Sequence, residues 1–229
     1  MSATATKSSS PASVVTALYL RTKALHLEAE RTGIIRDLLR GEASRDDYAL
    51  LLRNLLPAYQ AMEHGLEHHR GSAILKTLAN YRLDRAPAIE SDLAALCGTR
   101  WSHDIPLLPA GEIYASRITQ AAKGNGAKLI AHAYTRYLGD LSGGQILQRL
   151  LARTLELRPT ELSFYDFPGL SDLDALKADY RKALDQAGAL AGDPDAVVEE
   201  GAVAFLLNID LSCAIQSMAT GRSEVAATD

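Results

Sequence analysis

The sequence has little of several features that mark specialised classes of protein. Its two cysteines, Cys97 and Cys213, stand far apart and form no CxxC pair. Neither a disulfide framework nor a cysteine-rich metal site is predicted, and a reducing cytoplasm is expected. The net charge is −4 and no concentrated basic run occurs. Nucleic acid is therefore not expected as a partner, because binding to phosphates needs a basic face.

Long apolar runs are also scarce, and none approaches the roughly 20 residues that cross a bilayer. The chain ends in the polar segment SMATGRSEVAATD, and its opening MSATATKSSSPAS has neither a secretory apolar core nor the arginines of a transit peptide. We expect no membrane anchor. The sequence predicts a flexible tail over residues 1–13, one domain over residues 14–219 and a polar tail over residues 220–229.

Helical periodicity is what the sequence does have. Apolar residues recur at helical spacing in nearly every segment, and no window shows the alternation typical of strands. A chain of 229 residues suits one buried core. We predict an all-α, single-domain irregular helical bundle, with a capping box at Ser44 and Asp47 and a loop over 101–112. The predicted helices span about 14–31, 46–70, 73–79, 87–96, 127–155, 171–186 and 194–218.

The stretch YLGDLSGGQIL, residues 137–147, places three glycines inside a predicted helix. Each glycine costs about 1 kcal/mol relative to alanine there. At about 100° per residue, Gly139, Asp140, Gly143 and Gly144 fall within roughly 140° of arc, which leaves one face nearly bare except for a carboxylate. A flat group could lie against this face. Close packing of two helices is the alternative, although it would bury Asp140 without a partner.

The segment HLEAE places His26 and Glu30 one helical turn apart, with Lys23 one turn before on the same face. A neutral imidazole is a common iron ligand in haem proteins, and a carboxylate one turn away can orient the ring. A packed or solvated histidine is the alternative interpretation.

Two further patterns can be interpreted either as functional sites or simply as solvated helix surfaces. In HGLEHH, His64, Glu67 and His68 satisfy the H-x-x-E-H pattern of one class of zinc peptidase. In KADYRK, Lys177 and Arg181 stand at i and i+4, where they could bind a pair of anionic groups.

The run HAYTRYLGDLSGGQ, with HLEAE before it and AFLLNI after it, resembles the haem oxygenases from about Leu18 to Met218. The resemblance implies haem b sandwiched between a proximal helix that carries His26 and a distal helix that carries the glycines. The haem is both cofactor and substrate. With O2 and electrons from an external donor it would be cleaved to biliverdin, carbon monoxide and ferrous iron.

The same resemblance implies roles for individual residues. Asp140 would hold ordered water beside oxygen bound to the iron, and Phe205 would pack near the haem. Tyr19 and Ser212 depart from the family pattern, at a position that is basic in some members and at an aromatic position, respectively. Four further residues would contact the haem propionates: Lys23, Tyr134, Lys177 and Arg181. The distal hydrogen-bond network would contain the catalytic Asp140 and Gly139 together with Tyr59, Tyr114, Arg136 and Asn208.

The partners implied are a redox protein such as ferredoxin or a flavin reductase, and a downstream protein that uses the bilin, with neither nucleic acid nor a membrane. A carrier or sensor that binds haem without turnover is the rival hypothesis. Asp140 distinguishes the two, because storage needs His26 but no delivery of protons.

Overall fold

The computed structural model describes residues 13–167 and 172–226, and within these ranges the chain is helical and contains no strand. The predicted all-α class is confirmed. One segment, Tyr134–Leu138, is a π-helix, and Pro159–Glu161 and Ser163–Tyr165 are short 3-10 turns. The α-helices are α1 Val14–Ala29, α2 Gly33–Arg40, α3 Arg45–His68, α4 Lys76–Ala79, α5 Ala86–Cys97, α6 Trp101–Asp104, α7 Pro109–Ala121, α8 Leu129–Ala133, α9 Gly139–Thr154, α10 Leu173–Ala189 and α11 Pro194–Ala226.

Local signals explain several helix ends. The predicted capping box is present: the Ser44 hydroxyl accepts from the backbone N–H of Asp47, and the Asp47 carboxylate accepts from that of Ser44. Each bond satisfies a backbone donor that the first turn of α3 leaves unpaired. Gly98, with φ of 78°, ends α5 in a conformation that favours glycine.

Helix α3 forms the centre of the core, packed chiefly against α7 and α5, while α1 packs along α11. Its buried side chains include Leu50, Leu52, Tyr59 and Met62, all fully enclosed. Full burial of a large apolar side chain is worth about 1.5–3 kcal/mol, so this helix supplies much of the favourable free energy of folding.

The expectation that no apolar run is long enough to cross a bilayer does not hold for helix α11. The stretch Pro194–Gly221 is long and apolar enough by length and composition, since it contains an 18-residue window with mean hydropathy 1.5, of which 39% is buried. In the fold it packs against α1, α2, α7 and α8. It also carries buried Glu200, whose carboxylate accepts from Arg117 Nε at 2.8 Å and lies 3.1 Å from His132 Nε2. These contacts mark α11 as a helix of the core.

Other boundaries also need correction. The predicted loop over 101–112 contains α6 and the start of α7, because Pro109 occupies the first turn of a helix, where proline needs no N–H partner. Helix α11 continues to Ala226, so the predicted polar tail over 220–229 begins inside a helix. Ser13 caps α1, whereas the rest of the predicted tail over 1–13 lies outside the described residues. Helix α10 is capped by Asp172, and Ser171 lies outside the described residues.

Helices α2 and α11 meet at Gly33. Its φ is +60°, and a Cβ there would lie 2.4 Å from the backbone carbon and the Oγ of Ser212. The Ser212 hydroxyl accepts from the N–H of Ile35 at 3.2 Å, which is the capping bond that the side chain of Thr32 does not make. Ser212 therefore caps α2 from another helix.

We predict that Gly33→Ala destabilises the protein more than Gly124→Ala. Both glycines have left-handed φ, but a Cβ on Gly124 would meet nothing within 4 Å. The strained backbone should cost about 1–2 kcal/mol at either site, and overpacking against Ser212 should add about 1–3 kcal/mol at Gly33 alone. Urea unfolding measures both variants. Equal losses of unfolding free energy in the two variants would show that Ser212 moves aside to admit the new Cβ at no cost in stability.

Candidate functional site

A cavity of about 540 Å³ opens among α1, α2, α3, α9, α11 and the π-helical segment. Most of the predicted site residues line it. From α1 come Lys23, His26 and Glu30, and from α11 come Phe205, Asn208 and Ser212. The π-helical segment and α9 supply Tyr134, Arg136, Gly139, Asp140, Gly143 and Gly144, and Tyr19 and Arg181 also line the cavity. Three other predicted residues, Tyr59, Tyr114 and Lys177, are not part of this lining.

The three glycines of α9 do not serve one purpose. A Cβ added to Gly139 or Gly143 would meet nothing within 4 Å, so these two residues face open space. A Cβ on Gly144 would lie 3.1 Å from Cδ1 of Tyr165, so this glycine permits close packing. The open space at Gly139 and Gly143 is consistent with the predicted flat group, whereas Gly144 packs against a 3-10 turn and not against a second helix.

His26 lies on the cavity wall with Glu30 one turn on. Its Nδ1 is 3.5 Å from Glu30 Oε1, and its ring centroid is 5.8 Å from that of Phe205. The side chain is 57% exposed on the wall of the open cavity. Because Glu30 Oε1 lies on the Nδ1 side of the ring, Nε2 is the nitrogen that faces no side-chain partner and can coordinate a metal.

Asp140 is buried at the centre of a hydrogen-bonded network. The Tyr59 hydroxyl donates to Asp140 Oδ2 at 2.6 Å, and Arg136 Nη2 lies 3.5 Å from Oδ1. Arg136 also donates to the Tyr59 hydroxyl at 2.9 Å and to Asn208 Oδ1 at 2.7 Å. The partner that a buried carboxylate requires is thus provided from α3, the π-helical segment and α11 together.

Opposing effects act on the pKa of Asp140 in this network. Burial raises the pKa of Asp140 above its ordinary value, while the Arg136 guanidinium and the Tyr59 hydroxyl act in the opposite direction. Burial also raises the pKa of Tyr59 well above 10, so Tyr59 remains a neutral donor. The arrangement can hold a carboxyl group that exchanges a proton without leaving the interior.

The π-helical segment Tyr134–Leu138 stands immediately before the bare face of α9. It carries Arg136 and Tyr134, which both line the cavity. Single π-turns inside helices occur often at functional sites because they change the angle at which the following residues project. The periodicity of the sequence predicted one continuous helix here and gave no sign of this turn.

The predicted basic pair separates. Arg181 lines the cavity, together with Lys23, Tyr19 and Tyr134. Lys177 is absent from the described lining, and its Nζ lies 2.5 Å from Asp174 Oδ1 in the first turn of α10. Tyr114 is fully buried, with its ring centroid 6.1 Å from that of His132, and its hydroxyl makes no hydrogen bond among the described residues.

The predicted zinc pattern gains no support. His69, next to it in sequence, places Nε2 2.7 Å from the carbonyl oxygen of Ala122. Among residues 13–167 and 172–226, no group of three or more His, Cys, Asp or Glu side chains is arranged to hold a metal ion.

Sequence reasoning missed two aromatic residues, Phe164 and Tyr165, which also line the cavity. Asp92 accepts from the backbone N–H of Ser163 and of Phe164 at 2.8 Å each, and Gln145 Nε2 donates to the Tyr165 carbonyl at 2.8 Å. The aromatic run FYDF between two polar segments was the available signal.

Comparisons with known proteins agree with one another. The family model described as "Heme oxygenase" matches residues 12–214. A protein named "Heme oxygenase 1" from Nostoc sp. is 37% identical over 85% of this chain and 82% of its own, and one from Homo sapiens is 34% identical over 93% and 75%. The Synechocystis sp. heme oxygenase-1 structure, in complex with heme, has a TM-score of 0.83 at 31% identity, covering 95% of this chain and 100% of its own. The Leptospira interrogans heme oxygenase gives 0.82 at 34%, covering 88% and 98%.

We predict that Gly139→Ala and Gly143→Ala each stabilise the ligand-free protein by about 1 kcal/mol, since alanine is the better helix former and its Cβ meets no neighbour. Gly144→Ala, the matched control, should gain less because the ring of Tyr165 must move. Urea unfolding of the three variants provides the measurement. A loss of stability at Gly139 or Gly143 would show that these positions are packed rather than open.

Proposed function

Because the chain belongs to the haem oxygenase family, and its activity is the oxidative degradation of haem, we propose that haem b binds in the 540 Å³ cavity as both substrate and cofactor. The products follow as biliverdin, carbon monoxide and ferrous iron, with O2 as co-substrate. One observation carries the assignment of the site: an exposed histidine and two glycines without neighbours line the same cavity as a buried, hydrogen-bonded carboxyl group.

The residues of the cavity fit haem. His26 would hold the haem iron through Nε2, and Glu30, on the Nδ1 side of the ring, would orient the imidazole. Gly139 and Gly143 leave the space that a flat macrocycle needs next to a helix backbone. When bound, the haem supplies the iron at which O2 is activated.

The haem propionates require cationic or hydrogen-bonding partners. Arg181, Lys23, Tyr134 and Tyr19 line the cavity and are such groups. Arginine suits a carboxylate because its fork can donate two parallel hydrogen bonds. Lys177 contributes less in this proposal, because it is already paired with Asp174. Phe205, whose ring contacts that of His26, packs against the haem on the His26 side.

Asp140 positions the proton that the reaction consumes. Tyr59 occupies Oδ2 and Arg136 lies nearer Oδ1, so the carboxyl group is fixed in orientation while Oδ1 can hold a water molecule. Asn208 and Tyr59 in turn fix Arg136. A carboxyl group that is oriented in advance contributes catalytically because no reorganisation is needed during the step. Tyr114, which the resemblance placed in this network, makes no side-chain hydrogen bond to it among the described residues.

The rival function, a carrier or sensor without turnover, leaves this network unexplained. Burying a carboxyl group and a guanidinium costs several kcal/mol per ion before their attraction is counted. A storage protein needs only the ligand His26 and the propionate partners. The distal network therefore favours the enzyme.

The proposed partners follow from the chemistry. Ring opening needs electrons, which a redox protein such as ferredoxin or a flavin reductase would supply, and a bilin-using protein would receive the product. The mild negative charge agrees with the absence of nucleic acid as a partner. The packing of α11 into the core agrees with function away from a membrane, and we propose the cytoplasm.

We predict that Asp140→Ala binds haem with nearly the parent affinity but forms biliverdin at least about 100-fold more slowly, the usual loss on removing a positioned acid–base group. The ligand and the propionate partners stay in place, so binding and turnover should separate. Haemin, a reductant and air are supplied, the spectrum is followed, and the bilin isomer is identified by chromatography. Asp104→Ala, which removes an exposed acid on α6, is the control. If parent and variant both bind haem and neither forms bilin, the carrier hypothesis is the correct one.

We predict that Arg181→Ala changes the ratio of biliverdin isomers and that Lys177→Ala leaves it nearly unchanged, since only Arg181 lines the cavity. Exposed ion pairs contribute about 0–1 kcal/mol, so the affinity for haem should fall less than about tenfold in either variant. Isomers are separated after complete turnover. An equal effect of the two variants would show that Lys177 leaves Asp174 to reach the propionates.

A further inference from the structure

A short segment that follows α9 brings aromatic side chains to the cavity without being part of a long helix. It contains the two 3-10 turns Pro159–Glu161 and Ser163–Tyr165. The second turn, called the aromatic turn below, contributes Phe164 and Tyr165 to the described lining of the cavity, whereas the first turn contributes no residue to it. A single 3-10 turn has poor internal hydrogen-bond geometry, so contacts from outside must fix its position.

The start of the aromatic turn is held by Asp92 of α5. Its Oδ1 accepts from the backbone N–H of Ser163 and its Oδ2 from that of Phe164, each at 2.8 Å. Asp92 is fully buried, and burial raises the pKa of its carboxyl group, while the two N–H groups and Arg85 oppose the rise. A carboxylate that gives one oxygen to each of two neighbouring donors fixes both the position and the direction of the turn.

The end of the aromatic turn is held by Arg85, the N-cap residue of α5, which is 7% exposed. Its Nη1 donates to the carbonyl oxygen of Phe164 at 3.4 Å and to that of Asp166, and its Nε donates to two carbonyls just before it in the chain. Its guanidinium carbon also lies 4.2 Å from the centre of the Phe167 ring. Desolvating a guanidinium is unfavourable, so a buried arginine that holds backbone carbonyls of one segment supports a positioning role.

The aromatic turn packs against the distal side of the cavity at two places. A Cβ on Gly144 would lie 3.1 Å from Cδ1 of Tyr165. The ring of Phe164 meets the ring of Tyr59 edge-on, with 5.4 Å between the centroids, and the Tyr59 hydroxyl donates to Asp140. A shift of the turn would therefore move the cavity wall beside the glycine face of α9.

We propose that Asp92 and Arg85 are positioning residues for this reaction: from outside the cavity they fix the aromatic turn, and thereby the orientation in which the macrocycle is held. The inference rests on the proposed function, because it concerns how the same cavity holds haem. A flat group against α9 can turn and slide in its own plane, and a fixed wall of aromatic rings limits both movements. The choice of the bridge that is cut depends on that orientation. Neither Asp92 nor Arg85 is part of the described lining.

The first test measures backbone amide exchange in the haem-free protein by NMR. Asp92→Asn keeps the size of the side chain but turns an NH2 group toward one N–H of the turn, so one hydrogen bond is lost. The amide of Ser163 or of Phe164 should then exchange roughly tenfold faster, the factor expected for one hydrogen bond, while amides in the middle of α3 keep their parent rates. Parent rates at both amides of the turn would overturn the role of Asp92.

The second test records proton NMR spectra of the ferric haem complex, in which the haem methyl signals report the orientation of the macrocycle. Asp92→Asn should shift these signals or add a second set. Arg85→Lys should do the same, because an ammonium group cannot reach all the carbonyls that the guanidinium fork holds. The two variants test the turn from opposite ends, so the measurement does not depend on either one alone.

Glu161→Gln is the matched control for both variants. Glu161 is buried and accepts from the backbone N–H of Arg158 at 2.7 Å, but it holds the first 3-10 turn, which contributes nothing to the described lining. This variant should lose stability in urea unfolding and keep the parent haem methyl signals. Parent-like signals in both Asp92→Asn and Arg85→Lys, or equal changes in all three variants, would overturn the inference.

The third test identifies the biliverdin isomers after complete turnover. Asp92→Asn and Arg85→Lys should change the isomer ratio with little loss of haem affinity, because His26 and the propionate partners are untouched, and Glu161→Gln should keep the parent ratio. A parent ratio in both positioning variants would contradict the inference. A parent protein that binds haem and forms no bilin contradicts the proposed function alone, since the haem methyl signals still decide whether Asp92 and Arg85 orient the macrocycle. A parent protein that binds no haem contradicts both.

Discussion

The structure depends most on one interaction, the buried contact of Asp140 with Tyr59 and Arg136. A carboxyl group inside a core is tolerated only when partners satisfy it, and here the partners come from α3 and the π-helical segment. Those elements must therefore be fixed relative to α9 to within hydrogen-bond distance. The rest of the bundle meets this requirement: α3 has more buried residues than any other described helix, and the ring of Tyr165 packs against α9 at Gly144.

In the site, two glycines that lower the stability of helix α9 also keep the space of the cavity accessible. Gly139 and Gly143 lower the propensity of α9 to be helical, yet among the described residues no atom lies within 4 Å of a Cβ placed on either. A helix of this kind is held by its neighbours rather than by its own sequence. The distal wall is held by the hydrogen bonds of Gln145 to the Tyr165 carbonyl, of Arg136 to Asn208 and of Arg136 to Tyr59.

Much of the site was readable from short-range spacing, because one helical turn fixes His26 against Glu30 and places the glycines of α9 on one face. Contacts across the chain were not readable. The contact with Tyr165, more than twenty positions away, is what distinguishes Gly144 from Gly139 and Gly143. The pairing of Lys177 with Asp174 is local, but the spacing that allows it does not decide between this pairing and the cavity. Helix α7 was missed because the prolines before it resemble a loop, although Pro109 stands where a helix accepts proline.

The π-helical segment has a consequence for how this chain can change in evolution. Every residue of α8 before it is buried, whereas α9 after it presents the bare face to the cavity. The five residues of the π-helical segment therefore set the rotation of the cavity-facing side of α9 relative to the buried helix α8. Deletion of one residue would rotate everything downstream by about 100° and turn Asp140 and the glycines away from the cavity. Substitutions here can be tolerated one at a time, but insertions and deletions should be almost absent from functional descendants of this sequence.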